Sequence, residues 1–266
     1  GYEQPRITVC PECGSHYIGE FRAGTQQIED IVKEQFPGVR VLRMDMDTTR
    51  SKDAHEKILS AFANEEADVL VGTQMIVKGH DFPNVTLVGV LAADMSLYTG
   101  DYRSGERTFQ LLAQAVGRAG RGKQPGEAVI QTYDPGHYAI ETAAAQDYEA
   151  FYEEEIRYRE LMGYPPAEEL LAVLISGEDE ALLEKGCHYL KEYILRLTPR
   201  TGARTVRVIG PASPGIDKIK DIYRRVIYIK TEQYGTLVGI KDRIERYIEI
   251  NPGFDRMRIQ FDFNPM

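Results

Sequence analysis

The stretch that decides the fold runs from Val69 to Gly122 and reads VLVGTQMIVKGHDFPNVTLVGVLAADMSLYTGDYRSGERTFQLLAQAVGRAGRG. Three apolar residues, Val69 to Val71, lead straight into Gly72-Thr73-Gln74. A short buried strand that ends this way sets its polar residues at the carboxyl end, where open α/β sheets keep their ligand crevice. A second apolar run, Thr86 to Leu91, follows Pro83-Asn84. Phe109, Leu112, Ala113 and Val116 then recur at i, i+3, i+4 and i+7, which is the period of a helix. That pattern stops in Gln114-Ala115-Val116-Gly117-Arg118-Ala119-Gly120-Arg121. Two guanidiniums three residues apart at a helix end share a face, and such a fork suits phosphate oxygens. Taken alone, the pair also reads as a solvated helix end.

The string resembles the last two motifs of superfamily-2 nucleic-acid helicases. A T-x(5)-G-x-D motif spans Thr73 to Asp81, and Q-x-x-G-R-x-x-R spans Gln114 to Arg121. The filling between them, GTQMIVKGHDFPNVTLV and then DYRSGERTFQLLAQAVGRAGRG, is similar to the PriA family of replication-restart helicases, also called primosomal protein N′. The resemblance implies an α/β fold: a recA-like helicase C-terminal lobe with a mostly parallel sheet, then a ferredoxin-like α+β C-terminal domain. It implies that the intact protein couples ATP hydrolysis to 3′-to-5′ strand separation at stalled forks, restarts replication and helps assemble the primosome.

Composition sets the outer limits. At 266 residues the chain has room for two domains. It is 42% hydrophobic, yet no apolar run approaches a membrane span, so no membrane partner is expected. The start lacks a basic segment followed by an apolar one, and three cysteines argue against a disulfide scaffold. A cytoplasmic location is the expectation. The net charge of −9 confines any nucleic-acid contact to local patches. Trp is absent, which leaves base stacking to Tyr and Phe.

Outward from the central stretch, the chain divides into four expected parts. Residues 1–20 hold Cys10-Pro-Glu-Cys13, two thiolates in a tight turn that look like half of a zinc knuckle. The resemblance supplies the rest of that expectation, because PriA proteins carry further Cys pairs upstream; the Zn²⁺ site is incomplete in this chain. Cys187 lies in a helical pattern as a small core residue. Residues 21–134 form the helicase lobe. Thr25 caps a helix with Ile28, Ile31 and Val32, strands follow at Val39 and Val69, and Ala128 to Tyr133 is the last strand. Residues 135–166 read as one linker helix, Tyr138 to Met162, closed by Gly163-Tyr164-Pro165-Pro166. Residues 167–266 show strand-helix-strand twice over, the split βαβ order of a ferredoxin-like domain.

By resemblance, Arg118 and Arg121 serve as catalytic arginines toward the γ-phosphate, with Gln114 orienting water or phosphate beside them. Gly79, Asp81 and Gly117 line the cofactor side, where ATP and Mg²⁺ would be held together with a lobe this chain lacks. Gly117-to-Gln124, GRAGRGKQ, falls one residue short of a P-loop and sits in the wrong strand–helix context, so the chain alone is expected to be inactive. Asp81 alone also reads as a turn residue before Pro83. Thr73, Gln74 and Thr25 are expected nucleic-acid contacts, Thr25 equally an ordinary cap. In the last domain Lys218, Lys220, Arg224 and Arg225 crowd near Tyr223, together with Lys230 and Tyr228. They fit single-stranded or branched DNA, or a charged outer strand face. The family implies the single-stranded DNA-binding protein and other primosome proteins as further partners. The rival readings are a non-catalytic module that binds DNA structures or partners, and another superfamily-2 translocase such as a RecG-like enzyme.

Overall fold

The computed structural model describes residues 8–11, 13–16, 24–49, 53–77, 82–198 and 206–265. Among them the chain forms two compact units. One runs to Phe151, without Gly100–Tyr102; the other takes those residues and everything described from Tyr152 onward. The dividing point falls within a helix of the stretch expected as a linker.

The first unit alternates helix and strand: α1 (Thr25–Gln35), β1 (Val41–Met44), α2 (Ala54–Ala63), β2 (Val69–Gly72), β3 (Leu87–Val90), α3 (Ser104–Val116) and β4 (Glu127–Ile130). Every ladder is parallel, as connections through helices require. β1 pairs β2 from Val41↔Val69 to Met44↔Gly72, and β3 pairs β4 from Leu87↔Glu127 to Val90↔Ile130. Among the described residues these are two separate two-stranded sheets. Gly72 is required where β2 ends, because a Cβ there would lie 2.6 Å from the Met44 carbonyl oxygen.

Beyond β4, α4 (Tyr138–Ala145) joins Phe109 and Leu112 of α3 in a core with Ala139, Ile140, Ala143 and Phe151. The single helix expected from Tyr138 to Met162 is two helices, α4 and α5 (Tyr148–Met162). The break has a local cause. Gln146 adopts φ 58°, and its side-chain amide donates to Ala113 O at 2.9 Å and Ala143 O at 3.1 Å. The Asp147 carboxylate then accepts from Ala150 N at 2.9 Å and caps the start of α5.

The second unit contains β5 (Glu169–Gly177), α6 (Glu180–Leu197), β6 (Arg207–Ala212), β7 (Lys218–Ile219), β8 (Ile222–Thr231), α7 (Tyr234–Ile250) and β9 (Arg258–Phe263). The antiparallel order β6-β8-β5-β9 is the arrangement of a ferredoxin-like domain. Leu171, Val173 and Ile175 of β5 and Ile227 and Ile229 of β8 face a helix layer built on Leu183, Cys187, Leu190, Ile194, Leu237 and Ile244. All eleven are essentially inaccessible, and burying each such side chain contributes roughly 1.5–3 kcal/mol. Burial pushes the Cys187 thiol up to about 12, which makes it an inert core group. The sequence did not signal β7. It pairs with β8 through a tight hairpin in which Lys220 and Asp221 both take positive φ, 47° and 64°.

Candidate functional site

The arginine motif forms a backbone-clamped turn. α3 ends at Val116, so Arg118 and Arg121 sit beyond the helix and do not share a helical face as the spacing suggested. The next residues tighten: Arg118 N donates to Ala115 O at 3.0 Å and Ala119 N to Val116 O at 3.2 Å. Gly120 N reaches Val85 O at 3.0 Å, which ties the turn to the approach of β3. Glycine is needed at position 120, where φ is 73° and a Cβ would collide with the Gly126 amide. Within this turn Arg118 is half-buried, and Arg121 is exposed with its Nε donating to Gly117 O at 2.6 Å. Gln114 is exposed on the last turn of α3. The side chain that supports the helix end, Gln146, was not found from sequence; its only local signal is the polar pair Gln146-Asp147 after an alanine run.

A second cluster occupies the carboxyl edge of β1 and β2. Asp45 follows β1 and is 9% exposed. Its carboxylate accepts from the Thr25 hydroxyl at 2.5 Å and from the Thr48 and Asp47 amides at 2.9 and 3.0 Å. The Thr25 hydroxyl, then the Thr48 amide, hold its pKa down to about 2 although burial opposes this. Arg43 lies 3.4 Å from the same carboxylate. Thr48 and Thr49 donate their hydroxyls to Asp45 O at 3.2 and 2.6 Å. One expectation changes here: Gly24, not Thr25, occupies the cap position of α1, and the Thr25 hydroxyl donates to the Asp45 carboxylate. Thr73 and Gln74, at the end of the neighbouring strand β2, are exposed. Gly79 and Asp81 lie outside the described residues.

Asp94 performs a related task between β3 and β4, and sequence reasoning missed it. Burial works against its charge, but donation by the Thr132 hydroxyl at 2.7 Å and the Tyr133 amide outweighs that and lowers its pKa.

Cys10 and Cys13 bracket a tight turn in which Gly14 N donates to Cys10 O at 2.9 Å and Gly14 takes φ 68°. Among the described residues no group of three or more His, Cys, Asp or Glu side chains could hold a metal ion.

In the second unit the cationic stretch separates into two kinds of residue. Lys220 is exposed at the hairpin tip; Lys218 is exposed, pairs with Asp221 at 3.1 Å and lies 4.5 Å from the Tyr223 ring centre. Arg224 is half-buried and donates to Ile216 O at 3.2 Å. Arg225, expected with them as a phosphate contact, pairs with Glu184 and Glu180 of α6 at 2.5 and 3.1 Å. Lys230 is likewise withdrawn: it is 5% exposed, donates to Met162 O at 3.1 Å and stacks 3.7 Å from the Tyr164 ring. Both placements share a cause. Alternation along β8 assigns faces, but partners from α5 and α6 decide which cations reach solvent.

The comparisons agree with this architecture. The helicase conserved C-terminal domain matches residues 18–123, and the primosomal protein N C-terminal domain matches residues 160–266. The chain thus joins a helicase C-terminal domain to a primosomal C-terminal domain. Replication restart protein PriA of Bacillus subtilis is 45% identical over 269 residues, covering 100% of this chain and 32% of that protein. The Synechocystis protein of that name is 40% identical over 259 residues, 97% of this chain and 30% of the relative. The one from Thermotoga maritima is 33% identical over 250 residues, 94% and 32% respectively. The chain belongs to the PriA family of replication restart proteins, as a C-terminal portion spanning about a third of the length of these relatives.

Proposed function

We propose that this chain is the C-terminal part of an ATP-dependent 3′-to-5′ DNA helicase that restarts stalled replication forks and helps assemble the primosome. In this reading it supplies the arginine side of the nucleotide cleft and part of the DNA surface. The main support is the turn that carries Arg118 and Arg121, because its conformation is over-determined. The Gly120–Val85 hydrogen bond and the close Gly120–Gly126 crossing hold the backbone where the guanidiniums leave it. A preorganised cation costs no reorganisation when phosphoryl charge develops.

ATP with Mg²⁺, held mainly by residues outside this chain, would supply the phosphoryl group whose transfer to water drives the cycle. Arg121 and Arg118 would neutralise charge on the γ-phosphoryl oxygens, a role worth about 10³ to 10⁵ in rate elsewhere. Gln114, one helical turn before Arg118, would orient water. Gly79, Asp81 and Gly117 would complete the nucleotide side. Thr73 and Gln74 would bond the DNA backbone without reading sequence. Lys218, Lys220 and Arg224 would do the same in the last domain. Single-stranded or branched DNA, the single-stranded DNA-binding protein and other primosome proteins are the partners in this reading. No helix among the described residues is long and apolar enough to cross a membrane.

The test uses the full-length protein. Arg121→Ala should lower DNA-stimulated ATPase kcat by about two orders of magnitude or more and leave DNA affinity nearly unchanged. Hydrolysis at the parental rate would return Arg121 to a surface role.

A further inference from the structure

The outer surface of the α6–α7 layer carries a pattern that the helicase reading does not use. Along α6, Lys185, Tyr189, Tyr193 and Arg196 stand at i, i+4, i+8 and i+11, one stripe on the face opposite Leu183, Cys187, Leu190 and Ile194. Along α7, Arg243 and Tyr247 are one turn apart, with Arg246 beside them. Two contacts bring the stripes together. Tyr193 and Tyr247 stack with ring centres 3.9 Å apart and planes 10° apart, and the Tyr193 hydroxyl donates to Arg243 O at 3.3 Å. Tyr189 is 53% exposed beside this pair.

The charges are unevenly matched. Glu180 and Glu184 hold Arg225, and Asp242 and Glu245 hold Lys241. The carboxylates left on the two helices are Glu192 and Glu249. Lys185, Arg196, Arg243 and Arg246 are all exposed, and none of them forms an ion pair among the described residues. Glu192 lies in the same stripe one turn before Arg196, so the surface carries four cations without an ion pair among the described residues against two carboxylates. In a chain of net charge −9 such a net cationic surface favours an anionic partner.

We infer that this α6–α7 surface is a track for single-stranded nucleic acid, separate from the β7–β8 hairpin. Lys185 and Arg196 flank Tyr189 and Tyr193 at steps close to one helical turn, about 5–6 Å. A single strand offers a phosphate and an unstacked base in every residue, so it fills both kinds of position. A duplex hides its base faces, and an acidic peptide leaves the rings unused. Arg196 and Arg243 meet phosphate oxygens, and Tyr189 takes a base on its open ring face.

Binding of a labelled oligothymidylate to the 266-residue chain, followed by fluorescence anisotropy across a salt series, tests this. Arg196→Glu with Arg243→Glu should weaken binding and flatten the log–log salt slope by about 1.4, or 0.7 per lost phosphate. Tyr189→Ala should weaken binding about five-fold or more with the slope unchanged, since stacking releases no counterions. Circular dichroism checks that each variant keeps its helices. Lys218→Glu with Lys220→Glu, tested alongside, separates this track from the helicase reading. If only the hairpin variant loses affinity, the track is wrong and the hairpin contact stands. Failure of the parent chain to bind, or equal displacement of the oligonucleotide by polyglutamate, also overturns the track. Losses in the arginine and tyrosine variants with the hairpin variant unaffected would establish it independently.

Discussion

Asp45 shows how one carboxylate organises the carboxyl edge of the first sheet. It draws Thr25 of α1 and Thr48 of the following turn to the end of β1, twenty residues and three residues away. These bonds favour the ionised form, so the folded pKa lies near 2, below the unfolded value of about 3.9. A depressed folded pKa contributes stability that is complete above the unfolded value and is lost as pH falls through the folded one. The contribution, about 2 kcal/mol for a shift of this size, should therefore disappear between roughly pH 4 and pH 2. Urea unfolding followed by circular dichroism should show that loss in the parent and a weaker one in Asp45→Asn. The same pH dependence in both would place the acid sensitivity on other carboxylates, of which Asp68, held near 2 by Arg40, is the first to check.

Elements differ in how they use glycine, and this gives a paired prediction. Gly120 holds a positive φ at a backbone crossing between the end of α3 and the approach to β4. Gly239 lies exposed inside α7, with open space where a Cβ would go. Gly239→Ala should raise stability by about 0.5–1 kcal/mol, because only the unfolded chain loses freedom. Gly120→Ala should lower stability by about 1–3 kcal/mol through αL strain and collision, and should disturb the arginine turn. Thermal melts of the two variants check both signs. A neutral Gly120→Ala would mean that the turn relaxes easily, which would weaken the case for preorganised arginines.

At the scale of the whole molecule, Cys10 and Cys13 offer two thiols, a tetrahedral ion takes four donors, and no larger donor group occurs among the described residues. The 266-residue chain should lose zinc on dialysis against a mild chelator, whereas full-length protein should keep it. In the full-length protein, Cys10→Ser with Cys13→Ser should lower the retained metal, read by elemental analysis. Stoichiometric zinc on the shorter chain as a monomer would reveal ligands other than these two cysteines.

Much of this molecule was legible in its residues. The apolar run into Gly72-Thr73, the helical period of α3, the glycine–arginine string after it and the alternation of elements after Pro166 identified both domains and the candidate arginines. Those signals are local: a period of two or 3.6 and a turn residue survive in any tertiary setting. What sequence could not decide was where each polar group spends its hydrogen bonds. Thr25 goes to Asp45, Arg225 to Glu184 and Lys230 to Met162, across separations of 20, 41 and 68 residues. Gln146 goes to Ala113, 33 residues back, and in doing so helps end one helix before the next begins. Such choices are set by the path of the chain. A cation or hydroxyl identical in sequence to its neighbours is buried and committed, or left open for a ligand, only once the fold has brought a partner to it.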